Sequence, residues 1–143
     1  PAQTYRRKAK ELILAIWLEA KFSKKEILEL YLNRVYFGAG AYGIELASQR
    51  YFDKPASKLT LGEAALLAGM MKGPSRYSPL SAQDRAQKRA TVVLNEMVEQ
   101  HYITPAEREA AFAQKVRVNQ TLASQRPELR FTAYHCRPIQ VSA

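Results

Sequence analysis

The sequence predicts an all-α fold, and three observations carry that prediction. Three Ser/Thr-x-x-Glu capping boxes each stand just before an apolar run: Ser23–Glu26, Thr60–Glu63 and Thr104–Glu107. Apolar residues recur at helical spacing through most of the chain. No long strand pattern appears before residue 115.

The first helical segment is expected from about Arg6 to Lys21, with Leu12 to Leu18 apolar nearly all round. A helix of that kind is normally buried in a core larger than itself. Ser23 and Glu26 open a second helix through about Asn33, with Ile27, Leu28, Tyr31 and Leu32 on the side expected to be buried. Three glycines between Gly38 and Gly43 then mark a turn with unusual backbone angles or a close backbone approach.

A third helix is expected from Ile44 to Phe52, and a fourth from the Thr60 capping box to Met71. Lys72 to Pro79 holds two prolines and a glycine and reads as a loop. Ser81 is the expected cap of a long helix to about Gln100, with Asp84 in its first turn. Thr104 opens the last helix, with Pro105 at its first position and an end near Gln114. A short extended piece is expected at Val116–Val118. These elements place one domain over residues 1–118, with 119–143 as a linker or frayed tail.

The chain has 143 residues, one domain's worth or a piece of one, and begins at Pro1, as a fragment or a trimmed protein would. Lys and Arg number 22 against 13 Asp and Glu, a net charge of +9. That excess favours anionic partners: nucleic acid, phosphate-bearing lipid or an anionic membrane face. Cys136 stands alone, so an internal disulfide is excluded, and no Cys/His spacing suits zinc. His101 and His135 are isolated and read as structural. The apolar run at 12–18 is too short to span a bilayer.

Three constellations are candidates for chemistry. Arg7, Lys8 and Glu11 lie three and four residues apart and share a helical face. Two cations beside a carboxylate can grip a diphosphate while the carboxylate orients a hydroxyl or a metal. From spacing alone, a solvated salt-bridge face is the simpler account. Glu29 and Asn33, four apart, can brace each other or the following turn, and Tyr36 just before the glycines can line a cleft. A structural helix end explains the same residues. Arg76, in the Pro-rich loop, can reach a phosphate or a sugar, or serve no special role.

The order of the motifs adds more than any one of them. Arg7-Lys-x-x-Glu11 comes first. Then follow Ser23-Lys-x-Glu-Ile-Leu-Glu-x-Tyr-Leu-Asn33, Tyr36-Phe-Gly-x-Gly-x-Tyr-Gly-Ile44, Tyr51-Phe-Asp-Lys-Pro55, Leu59–Gly69, Pro74–Pro79 and His101–Glu107. From about Thr4 to Ala113 this resembles the family 51 glycosyltransferase domain of class A penicillin-binding proteins and monofunctional peptidoglycan glycosyltransferases. The resemblance implies a lysozyme-like, mainly helical domain whose N-terminal part is missing here. It also implies polymerisation of lipid II into glycan strands at the outer face of the bacterial inner (cytoplasmic) membrane.

Carried over by position, Arg7 and Lys8 would lie at the leaving diphosphate and Glu11 would be the second active-site glutamate. Tyr36 would line the donor cleft, supported by Asn33 and Glu29. The family's phosphoglycolipid inhibitor moenomycin would take the same donor site. Mg or Mn is a possible cofactor. The implied partners are lipid II, the growing strand and an anionic membrane surface, with no nucleic acid.

The family's Glu-Asp-x-x-Phe-x-x-His motif, which carries the general base, does not occur in these residues, nor does Gly-x-Ser-Thr-Ile-Thr-Gln-Gln. The chain alone is therefore expected to be inactive or nearly so, and the apolar helix partly uncovered. The stretch 126–143, with His135-Cys136-Arg137-Pro138, does not resemble a linker to a transpeptidase domain, and the transpeptidase Ser-x-x-Lys motif is absent. A basic nucleic-acid-binding module would explain the charge, but not the glycine turn or the motif order. A lysozyme-like hydrolase would need an acid distinct from Glu11.

Overall fold

The computed structural model describes residues 2–121, with side chains from Thr4 onward. Six α-helices and one short 3-10 helix follow in order among the described residues: α1 (Ala2–Lys21), α2 (Lys24–Leu32), α3 (Ile44–Phe52), the 3-10 turn (Ala56–Lys58), α4 (Leu61–Met70), α5 (Gln83–Glu99) and α6 (Pro105–Ala113). The all-α expectation holds, and the only β-pairing among the described residues is an isolated antiparallel bridge between Tyr36 and Tyr42.

The three capping boxes form as read. Ser23, Thr60 and Thr104 each accept from the backbone N–H three residues on, and Glu26, Glu63 and Glu107 each reach back to the cap's own N–H. Two orphan donors are thereby satisfied at each helix start. Ser81 is not a cap. Its N–H and that of Ala82 both donate to the Ser78 carbonyl, at 3.3 and 2.9 Å, and Ala82 becomes the N-cap without a side-chain bond. That turn starts the helix two residues after the serine and leaves Ser81 outside it. Asp84 does sit in the first turn of α5.

The core is built on α4 and α5. Ala65, Leu66, Leu67 and Met70 of α4 are buried, and Ala86, Ala90 and Leu94 of α5 recur every four residues along the facing stripe. The small residues let the backbones come close: a Cβ on Gly69 would meet Arg89 Cγ at 3.0 Å. α6 closes the other end of α4, where a Cβ on Gly62 would lie 3.3 Å from the Ala111 carbonyl oxygen and 3.2 Å from Val116 Cγ2. α3 adds Ala47, Ser48, Tyr51 and Phe52, and the glycine turn adds Phe37 and Ala41. Each large side chain buried in this way contributes roughly 1.5–3 kcal/mol.

The Asp53–Pro55 corner after α3 is held by polar bonds. Ser48 Oγ donates to the Lys54 carbonyl at 2.7 Å, and Glu45 accepts from the Ala56 N–H at 3.0 Å. Lys54 Nζ spans both oxygens of Glu63, at 2.9 and 3.0 Å. The cap of α4 and the end of α3 thus share one carboxylate.

One expectation about burial fails and another is exceeded. Leu28 and Tyr31 of α2 are about half exposed, and only Ile27 and Leu32 are partly covered. The α2 residue that packs against the core is Leu32 at its C-terminus, joined by Val35 just past the helix end. The α1 helix starts at Ala2 rather than Arg6 and, from Thr4 on, buries no side chain. Leu12 is 63% exposed, Ile13 67% and Trp17 52%. Among the described residues, then, the apolar run lacks the surrounding core that its composition calls for, and the expected uncovering is pronounced. No described helix is long and apolar enough to cross a membrane.

Residues 115–119, which include the expected extended piece at Val116–Val118, have no regular secondary structure. Val116 and Val118 pack on the core, and the Asn119 N–H donates to the Tyr51 carbonyl at 2.7 Å. The stretch 126–143, with His135 and Cys136, lies outside the described residues.

Candidate functional site

Helical spacing on α1 brings the first constellation together. Glu11 receives Lys8 Nζ at 2.9 Å and faces Arg7 Nε at 3.6 Å, with all three side chains more than half exposed. Ion pairs so exposed contribute little to stability. Their chemical content is two cations fixed around one carboxylate and open to solvent, an arrangement that can accept an oxyanion.

The second constellation lies at the end of α2. Asn33 Nδ2 donates to the Glu29 backbone carbonyl at 2.9 Å, and the Asn33 N–H bonds the same oxygen at 3.0 Å. The bracing is thus from side chain to backbone and leaves the Glu29 carboxylate out of it. The chain then enters the glycine turn, where Gly38, Ala39, Gly40 and Gly43 all have positive φ. Gly43 donates to the Val35 carbonyl at 2.8 Å, and Phe37 donates to that of Ala41 at 2.8 Å. Tyr36 sits on the rim of this turn. Its hydroxyl accepts from the Gly40 N–H at 3.4 Å, and its ring lies 4.8 Å from that of Tyr42, tilted by 39°.

Arg76 is exposed on the third constellation, and its guanidinium lies 5.8 Å from the centroid of the Tyr77 ring. The loop is folded on itself, since the Arg76 and Tyr77 N–H groups both donate to the Gly73 carbonyl. It also abuts the glycine turn: a Cβ on Gly38 would lie 3.4 Å from the Pro74 carbonyl oxygen.

A residue to which the sequence reading gave no role joins the last two constellations. Tyr51, fully buried on α3, donates its hydroxyl to the Phe37 carbonyl at 2.9 Å. The Ser78 hydroxyl bonds the same phenol, and Ser78 in turn accepts from the Leu80 N–H at 3.3 Å. Burial is the main cause that pushes the Tyr51 pKa up to about 12, with the Ser78 bond opposing it. The motif Tyr51-Phe-Asp-Lys-Pro55 was visible in the sequence, but the contacts across 14 and 27 residues that give Tyr51 its place were not.

Among the described residues, then, Arg7, Lys8 and Glu11 form one cluster, Glu29 and Asn33 a second, and Tyr36 and Arg76 occupy two adjoining loops.

Comparison with known proteins gives this arrangement its class. The sequence family described as Transglycosylase matches residues 1–98, and the chain belongs to that family. Two curated relatives are penicillin-binding proteins 1A. The one from Aquifex aeolicus is 50% identical over 109 residues, which cover 76% of this chain and 15% of the relative. The one from Escherichia coli is 43% identical over 133 residues, covering 93% of this chain and 15% of the relative. The crystal structure of penicillin-binding protein 1A from Haemophilus influenzae superposes with a TM-score of 0.65 at 40% identity, over 69% of this chain and 15% of that one. The chain thus spans about 15% of the length of these relatives.

Proposed function

We propose that this chain is the part of a peptidoglycan glycosyltransferase that holds the donor's diphosphate leaving group. The observation that carries the reading is the Arg7–Lys8–Glu11 cluster, exposed on α1 inside the region matched by the family. In the reaction, an acceptor sugar hydroxyl attacks the donor's anomeric carbon with inversion and undecaprenyl diphosphate departs. Negative charge builds on the departing phosphate oxygens, and Arg7 and Lys8 supply fixed positive charge there. Glu11 holds the two cations in place and orients substrate. Tyr36 lines the donor cleft, with Asn33 and Glu29 behind it, and Arg76 reaches a phosphate or sugar from the adjoining loop.

The substrates are lipid II and the growing strand, and the setting is an anionic membrane surface on the extracytoplasmic side of the inner membrane. Moenomycin would compete at the same cations. The net charge of +9 suits such a surface, and the named relatives lend no support to a nucleic-acid module. A Mg or Mn ion here would take its oxygens from the Glu11 carboxylate and the substrate's diphosphate, since among the described residues no group of three or more His, Cys, Asp or Glu side chains converges.

The general-base motif does not occur in these residues, so residues 1–143 by themselves should polymerise lipid II at a rate lower by about 10² to 10⁴ or more. The test is a lipid II polymerisation assay on the chain and on a longer protein carrying a family-type upstream segment. Glycan chains from the longer protein only, lost with Glu11→Gln, support the reading. A longer protein that is folded yet inert overturns it.

A further inference from the structure

Four groups form a hydrogen-bonded line through the interior. The Leu80 N–H donates to Ser78 Oγ, the Ser78 hydroxyl bonds the Tyr51 phenol, and the phenol donates to the Phe37 carbonyl. One end of this line is the loop that carries Arg76. The other is the glycine turn that carries Tyr36. The two loops also touch directly, since the Tyr51 hydroxyl and the Pro74 carbonyl would lie 3.1 and 3.4 Å from a Cβ on Gly38. Of the side chains named here, the phenol is the one that bonds both loops.

We propose that Tyr51 is a positioning residue for the donor cleft, holding the Tyr36 turn and the Arg76 loop in one register so that both meet the same lipid-linked sugar diphosphate. The proposal rests on the glycosyltransferase reading above. Tyr51 is fully buried and touches no substrate, so it acts through the two loops. Removing its hydroxyl leaves the Phe37 carbonyl buried without that partner and frees Ser78. Each loop then samples its own conformations. The fraction of molecules with both loops in place falls, and apparent affinity falls with it.

The test has two arms. In the first, hydrogen exchange is followed on the 143-residue chain. Tyr51→Phe should speed exchange of the Ala41 and Gly43 amides and of the Arg76 and Tyr77 amides together, by about fivefold or more, while amides within α4 keep wild-type protection. Ser78→Ala, which removes the link to the Tyr51 phenol and the bond from the Leu80 N–H but leaves the Tyr51–Phe37 bond in place, should move the same four amides by a smaller factor. In the second arm, the longer protein carrying Tyr51→Phe should show KM for lipid II raised by about three- to tenfold with kcat within about twofold.

Loosening of one loop alone, or unchanged exchange in both variants, overturns the coupling. A fall in kcat at constant KM overturns the positioning role and marks Tyr51 as a fold residue. If the wild-type longer protein makes no glycan, the glycosyltransferase reading fails and the positioning role fails with it. The exchange arm then still decides whether Tyr51 couples the loops.

Discussion

The carbonyl oxygen of Asn33 lies where a side chain on Gly43 would begin, 2.6 Å from the position of a Cβ. Gly43 also has φ +85° and ψ 151°, a region that L residues with a side chain avoid. Gly43→Ala therefore combines backbone strain with a collision against main chain that cannot swing aside. It should cost about 2–4 kcal/mol in urea denaturation. Gly40→Ala places a side chain at φ +75° in the same turn, away from the Gly43–Asn33 approach, and should cost less.

Alkaline pH should weaken the fold through Tyr51. Its pKa is about 12 in the folded chain against an ordinary value of 10, so the folded state favours the protonated phenol. The contribution is complete below pH 10 and is lost as pH rises toward 12, with a ceiling of about 2–3 kcal/mol. Comparing denaturation midpoints of wild type and Tyr51→Phe from pH 8 to 12 isolates this group from the lysines. The gap between the two should narrow as pH rises.

The shared carboxylate of Glu63 should make the α3–α4 corner sensitive to Lys54. Lys54→Met removes the cation from a carboxylate whose side chain is 10% exposed. The lysine itself is 31% exposed, so water screens part of the loss, and a cost of about 1–2 kcal/mol is expected. Thr60→Ala at the same cap should cost about 1 kcal/mol. The two losses should not add, because both act on Glu63, and a double-mutant cycle measures the coupling.

Substitutions at the α1 cluster should separate activity from stability. Arg7→Ala and Lys8→Ala each remove one solvent-exposed ion pair and Glu11→Gln removes both, and each should shift stability by less than about 0.5 kcal/mol. In the longer protein, Glu11→Gln should lower lipid II polymerisation by about 10² or more.

The exposed apolar side of α1 should govern solubility. Ile13→Lys with Ile16→Gln removes two of its exposed β-branched residues without touching the buried core. The pair should raise the soluble yield and reduce binding of an apolar dye, with little change in the unfolding midpoint.

What could be read from the chain was what is decided locally. A capping box is a contact over three residues, so Thr60 and Glu63 announce themselves. Ser81, followed by Asp84, also reads as a cap, but the turn around the Ser78 carbonyl puts it outside the helix. Burial is decided by partners. The apolar run of α1 reads as core, although among the described residues no element covers it, and Leu28 and Tyr31 looked inward on α2 yet face solvent. The Arg7–Lys8–Glu11 cluster was legible because helical pitch alone assembles it. Tyr51 was not, since its bonds to Phe37 and Ser78 exist only once three segments have met.

The bareness of α1 has a thermodynamic consequence for the cations it carries. Among the described residues α1 buries no side chain from Thr4 on, so it lacks the tertiary packing from which most helices in proteins draw their stability. An anion gripped by Arg7 and Lys8 must therefore supply the ordering entropy of the helix out of its own binding energy. Any surface that settles on Leu12, Ile13 and Trp17 would meet that cost in advance. By linkage, occupancy of the greasy side and affinity at the charged side rise together, with no contact between the two ligands.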